Sequence, residues 1–270
     1  MFRTRLLSGI VLVLLLLAFI IPGGWILLGG LLAVALIGEF EMVRVIHIQK
    51  SPLAVIGYAA TVLYYVNLKM AFITDQRFLI LLPCMIMFFV LVLSYPKIAF
   101  ADLAYAAFVY LYVGLMLGYI FALRNDAYGI YLVWLIFLSS WGCDTCAYCV
   151  GMLCGKHKFA PLLSPKKSVE GAVGGILGSA LLGAVYAYVF RDVFAQFSVS
   201  VWMVAVTCGV TAVFSQIGDL AASAIKRQYD VKDYGKLIPG HGGIMDRFDS
   251  VIVAAPVIYY LINFFGRISG

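Results

Sequence analysis

Asp144, Asp219, Asp246 and Asp249 lie in or at the ends of long apolar segments, in the stretches WGCDTCAYC, SQIGDLAASAIKR and HGGIMDRFDS. Charge inside a bilayer is costly, so an acid in such a place is a functional candidate by default. Its neighbours here are cations and small polar residues. Ser215, Asp219, Ser223, Lys226 and Arg227 recur at the spacing of one helical face. Asp246 and Asp249 are three residues apart and share a face as well. Upstream, SPKKSVEG (164–171) sets Lys166 and Lys167 between two serines, and Glu170 and several glycines follow as a helix begins.

Four acids and a crowd of Lys and Arg have one obvious common ligand. A hard divalent cation such as Mg²⁺ takes oxygen ligands, commonly one or two carboxylates plus substrate phosphates. Lys and Arg take phosphate. A nucleoside triphosphate with its metal meets both needs, and phosphoryl and nucleotidyl transfer run mainly on positioning and charge neutralisation. The plainer alternative is that each acid neutralises a nearby cation in a packed bundle, which explains one aspartate better than it explains four. A helix starting near Lys166–Ser168 would also offer amides to a phosphate. The chain has no Walker A motif: GMLCGKH has one residue too few between its glycines and no Ser or Thr after Lys156. Cys143, Cys146 and Cys149 form a C-x-x-C-x-x-C run, but it lies in an apolar helical pattern, where three-residue spacing makes a stripe. They are read as packing residues, not cluster ligands.

The elements that must hold these residues are membrane helices. Of 270 residues, 64% are hydrophobic and 12% charged, against about 25% charged in soluble domains. The mean hydropathy is +1.03. A soluble core cannot hide that much apolar surface. A helix needs about 20 apolar residues to span. Nine segments qualify, near 6–22, 25–42, 52–70, 78–95, 100–123, 128–154, 170–190, 198–223 and 248–265. The first is followed by many others and so is not read as a removable signal. The second carries Glu39 and Glu41 near its end. The fold class expected is all-α, a polytopic bundle of about nine transmembrane helices.

With the N-terminus cytoplasmic, fourteen of the nineteen Lys and Arg fall inside, Arg3, Arg5, Arg44 and Lys97 among them, and five fall outside, among them Arg124 and Arg267. Both long polar loops, 155–169 and 224–247, then face the cytoplasm. Residues 1–127 read as N-terminal scaffold helices with lipid access. Residues 128–270 read as the catalytic region. The net charge of +6 is concentrated in those loops, which would also attract anionic lipid.

Ser223, Lys226, Arg227, Asp233, Pro239-Gly240-His241-Gly242-Gly243, Asp246, Arg247 and Asp249 together resemble the signature of the CDP-diacylglycerol synthases, also called phosphatidate cytidylyltransferases. The match spans about 27 residues. SPKKSVEG and CDTCAY also resemble earlier blocks of that family, which more often has a small residue where Cys146 stands. Residues 1–130 resemble it only in being hydrophobic. The resemblance implies a reaction: CTP and phosphatidate give CDP-diacylglycerol and pyrophosphate, with Mg²⁺, in the cell (inner or plasma) membrane. A soluble polyanionic nucleotide needs a basic basin on the cytoplasmic side, and a lipid needs an opening to the bilayer.

On that reading, Asp219 and Asp246 hold the metal, with Asp249 and Asp144 as further ligands or their supports. A second cation, including a monovalent one such as K⁺, is compatible. Lys166, Lys167, Lys226, Arg227 and Arg247 grip phosphates, with Ser168 and Ser223 beside them. His241 donates to a phosphate or the leaving group, or else bonds loop backbone. Gly240, Gly242 and Gly243 give the nucleotide room. Lys167, Arg227 and His241 join Asp219 and Asp246 as the residues nearest the chemistry. Nucleic acid is not expected as a partner. Glycine-rich helices are compatible with a homodimer.

Two rival functions fit the composition. A CTP-dependent polyprenol or dolichol kinase would transfer the γ-phosphate to an alcohol and release CDP. An ion-coupled transporter would show inverted-repeat symmetry, whereas these acids crowd one half of the chain. A CDP-alcohol phosphotransferase would carry D-G-x-x-A-R, which is absent.

Overall fold

The computed structural model describes the backbone of residues 2–269 and the side chains of residues 7–266. Arg3, Arg5 and Arg267, counted above for orientation, have side chains outside that range. Each of the nine expected segments is helical among the described residues. Eight of the spans are long and apolar enough to cross a membrane, and the first helix is apolar over Leu7–Ile20. The protein is therefore an all-α polytopic membrane bundle.

The chain forms two compact units. The first comprises Met1–Ala122 and Val231–Arg247. It holds α1 (Phe2–Ile20), α2 (Gly24–Val45), α3 (Pro52–Met70), α4 (Gln76–Leu93), α5 (Phe100–Val109) and most of α6 (Met116–Arg124). A π-helical turn, Tyr110–Leu115, joins α5 to α6 in one span. Local chemistry sets the boundaries. Pro52 occupies the first turn of α3, and Ser51 caps it by accepting from the Leu53 amide at 3.3 Å. Asp75 does the same for α4. The core of this unit is Leu27, Ala35, Met42, Leu53, Tyr65, Leu79 and Val113, all nearly inaccessible. Tyr110 crosses to α4, where its hydroxyl donates to the Leu79 carbonyl at 2.7 Å. On α4, Met85, Phe89 and Val92 are 67%, 64% and 74% exposed. That face needs lipid as its solvent.

The second unit comprises Leu123–Asp230 and Phe248–Gly270. Its first span runs Gly129–Cys154 through α7 (Gly129–Leu132), α8 (Trp134–Phe137), a π-helical turn at Leu138–Gly142 and α9 (Cys143–Cys154). It continues through α10 (Val169–Val189), the short α11 (Arg191–Gln196), α12 (Val201–Gln228) and α13 (Met245–Ser269) from Phe248 onward. Ser179 of α10 is shared between the carbonyls of Leu138 and Cys208, each at 3.3 Å. Gln216 of α12 donates to the Ala172 carbonyl on α10 at 3.0 Å. Cys143 is buried where α9 meets α12, 3.3 Å from the Gln216 amide nitrogen. Cys149 and Cys154 are exposed, and all six cysteines are free.

One expectation changes. Residues 155–169 are not simply a polar loop. They contain the only paired strands among the described residues, β1 (Lys158–Ala160) and β2 (Ser164–Ser168), antiparallel. The closing contact comes from the next helix. Glu170 accepts from the amides of Lys156 at 3.1 Å and His157 at 3.2 Å, and its carboxylate lies 2.6 Å from the His157 ring. The hairpin is thus pinned at its base by the first turn of α10.

Candidate active site

Helix α12 has 28 residues, an end-to-end length of about 42 Å at 1.5 Å per residue. A hydrocarbon core is about 30 Å thick, so the helix is longer than the core it crosses. Asp219 lies in the second half of the helix, and Lys226 and Arg227 lie in its last turn. Across from Asp219, β2 presents Lys167. The lysine ammonium donates to Asp219 Oδ2, and each side chain is only about a quarter exposed, at 26% and 25%.

This ion pair lies on the wall of a cavity of about 550 Å³. Asp144 and Asp219 supply its acidic side, and Lys158, Lys166 and Lys167 its basic side. Ser168, Gly171 and Gln216 also line it, with Tyr148 and Met152 as its apolar part. Tyr148 and Met152 are strongly exposed. The cavity has opposite charges over its interior and hydrocarbon on its wall. Burial would pull the Lys167 ammonium down, but Asp219, with Asp144 and Asp249 behind it, raises it above the ordinary lysine value. Lys167 therefore stays a cation at neutral pH.

Asp249 of α13 is buried in the same unit. The charges acting on it are those of Asp219, Lys226 and Asp144. The close approach has a cause: a Cβ on Gly218 would sit 2.7 Å from Val253 and 3.1 Å from the Asp249 carbonyl, so α12 and α13 meet closely beside Asp219 only with glycine there. Three carboxylates thus share one field with two buried or half-buried lysines, a donor set whose chemistry fits a hard cation. Among the described residues, no three His, Cys, Asp or Glu side chains converge into a ready-made cage.

Ser168 is the N-cap of α10 and accepts from the Gly171 amide at 3.1 Å. Ser223 and Lys226 are buried on α12, as the shared helical face requires, whereas Arg227 is exposed. None of these three lines the cavity.

The other expected residues build a separate structure in the first unit. Ile238 donates to the Gly242 carbonyl at 2.8 Å, and His241 donates to the Ile238 carbonyl at 2.9 Å. This tight turn puts Gly240 at φ 77° and Gly242 at φ 89°, conformations that glycine adopts without strain. Asp246, buried in the first turn of α13, accepts from the amides of Tyr234 at 2.8 Å and Gly243 at 2.9 Å through Oδ2. Arg247 donates through Nε to the His241 carbonyl at 3.1 Å. The His241 ring Nδ1 lies 2.6 Å from the Ser8 hydroxyl. The His241 amide bonds the turn's backbone as any residue's would, and its ring has a side-chain partner in Ser8.

Sequence reasoning passed over Lys158, Tyr148 and Gln216 as cavity residues, because their spacing signals nothing until the hairpin folds. It also left Glu41 and Arg44 without a role, although an acid in an apolar helix was a visible signal.

A family model described as "Cytidylyltransferase family" matches residues 3–265. The chain belongs to the cytidylyltransferase family. A phosphatidate cytidylyltransferase of Staphylococcus epidermidis (strain ATCC 35984) is 32% identical over 265 residues, covering 96% of this chain and 98% of the relative. One of Staphylococcus aureus (strain COL) is 30% identical over 264 residues, with the same coverage. One of Staphylococcus haemolyticus is 38% identical over 171 residues, and there the match spans 63% of each protein.

Proposed function

We propose that this cytidylyltransferase-family protein makes CDP-diacylglycerol and pyrophosphate from CTP and phosphatidate, at a multi-pass site on the cytoplasmic side of the cell membrane. The observation that carries the reading is the cavity in which the Lys167–Asp219 pair, Asp144, Lys158 and Lys166 stand beside an apolar wall. Such a cavity suits a phosphate-rich headgroup joined to acyl chains. The names of the full-length relatives support the choice of substrates.

The lipid phosphate attacks the α-phosphorus of CTP, and pyrophosphate leaves in line. A phosphomonoester has a second pKa of about 6, so at pH 7 it is largely ionised and needs no strong base. Lys166 and Lys167 hold phosphate oxygens, and Lys167 exchanges its carboxylate partner for substrate. Arg227, Lys226 and Arg247 add positive charge along the nucleotide. The turn at Gly240–Gly243 lets backbone approach it. Asp219, with Asp249 and Asp144, would hold Mg²⁺, which supplies charge neutralisation on the triphosphate; the family signature, not the cavity, assigns Asp246 to the metal. The remaining work is orientation: two anions are brought together by the lysines that line the cavity.

The test is to incubate purified protein in detergent with phosphatidate, CTP labelled in the cytidine, and Mg²⁺, beside an EDTA control. The expected products are a labelled lipid and pyrophosphate. Lipid phosphate with free CDP would overturn the reading in favour of a CTP-dependent kinase.

A further inference from the structure

The N-terminal helices contribute more than a scaffold. Glu41 stands at the C-terminal end of α2, inside an apolar sequence, and is 4% exposed. Its Oε2 accepts from the Met245 amide at 2.9 Å and its Oε1 from the Ile244 amide at 3.2 Å. Those amides belong to the start of α13, where backbone N–H groups lack helical acceptors and favour a negative charge. Glu41 therefore caps α13 from another helix. A Cβ on Gly235 or Gly243 would overlap the Glu41 carboxylate, so both glycines are room for it.

One turn along α2, Arg44 Nη2 donates to the Tyr234 carbonyl at 2.8 Å, and its guanidinium lies 5.9 Å from the Phe40 ring centre. Tyr234 is fully buried, and its own amide donates to Asp246. Both ends of the segment between Tyr234 and Met245 are thus held by one acid and one base of α2. The two amides that orient Asp246 come from within that held segment.

We infer that Glu41 and Arg44 are positioning residues for the reaction, setting the Pro239–Gly243 turn and the Asp246 carboxylate from the distant N-terminal half. This rests on the cytidylyltransfer reading. Neither residue touches substrate in this account; they act through the loop backbone.

The experiment compares full-length wild type with Glu41→Gln, Glu41→Leu and Glu41→Ala in detergent, by hydrogen exchange and by CTP-dependent product formation. Leucine keeps the volume without an acceptor, and glutamine keeps one acceptor oxygen. Amides of Ile244 and Met245 exchange faster in Leu and Ala, while those of Ser164–Ala172 do not change. Turnover falls about 100-fold in Leu and Ala, the scale of a small misplacement of reacting groups, and glutamine recovers about tenfold of it. Unchanged exchange at 244–245 in Glu41→Leu overturns the clamp. Leucine matching wild-type turnover, or outdoing glutamine, reduces Glu41 to packing and overturns the positioning role. Should wild type itself form no labelled lipid, the cytidylyltransfer reading falls, and the positioning role falls with it. If Glu41→Ala does not fold, the order of glutamine over leucine still decides.

Discussion

Lys167 and Asp219, 52 residues apart in sequence, form an ion pair on the wall of the cavity, one from a hairpin and one from a membrane helix. A charged lysine that already holds a carboxylate keeps the cavity nearly neutral until a phosphate enters. Asp219→Asn is expected to fold yet lose at least about 100-fold in turnover, comparable with the loss of one preorganised electrostatic group. Lys167→Ala should raise the CTP or phosphatidate concentration needed for half-maximal rate. The double variant should be little worse than Asp219→Asn alone, because the two side chains act as a unit. Labelled-lipid assays check all three, and strict additivity would separate the residues.

The pair also has a pH signature. Burial works against the Lys167 charge, but Asp219 more than offsets it and the folded-state pKa is raised above 10.5. A raised lysine contributes its stability below the ordinary lysine value, and loses it only as pH climbs through the folded value. Thermal unfolding in detergent should therefore show no Lys167-dependent loss between about pH 7 and pH 9, the range well below that value. A loss centred in this range that vanishes in Lys167→Met would contradict the pairing.

Ser168 serves α10 as a cap and faces the cavity. Ser168→Ala should cost about 1 kcal/mol of stability, read as a lower melting temperature. Ser168→Asp restores the cap and the melting temperature, but places a negative charge against substrate phosphate. Its CTP requirement should rise while its stability does not fall. Equal CTP dependence in both variants would leave Ser168 with the cap alone.

Removal of divalent cation with EDTA should abolish product, and restoring Mg²⁺ should recover it. In Asp246→Asn the Mg²⁺ concentration for half-maximal rate should rise about tenfold or more, the scale seen when a ligand or its support is lost. An unchanged Mg²⁺ curve would take Asp246 out of the metal's surroundings.

The membrane architecture was legible because hydrophobic runs of span length have few other solutions, and each of the nine segments became a helix within a few residues. The face shared by Ser215, Asp219, Ser223 and Lys226 was legible for a similar reason: helical periodicity is local. What escaped depends on contacts far apart in sequence. The hairpin at 158–168 is fastened by Glu170, and its polar sequence looks like any loop. Lys158 enters the cavity only once that hairpin pairs. Glu41 and Ile244 are 203 residues apart, and no spacing rule joins them. Aspartates were found by their cost in a bilayer, and the same reasoning applied to Glu41 would have flagged it without naming its partners.

Helix α12 is a single uninterrupted rod of 28 residues that carries Asp219. A rod longer than the hydrocarbon it crosses answers a change in that thickness by tilting. Its buried residues run from Val204 to Lys226, so the helix is packed along most of its length and moves as one piece. A tilt of α12 would therefore carry the Asp219 carboxylate with it, and its Lys167 partner sits on the hairpin, outside that rod.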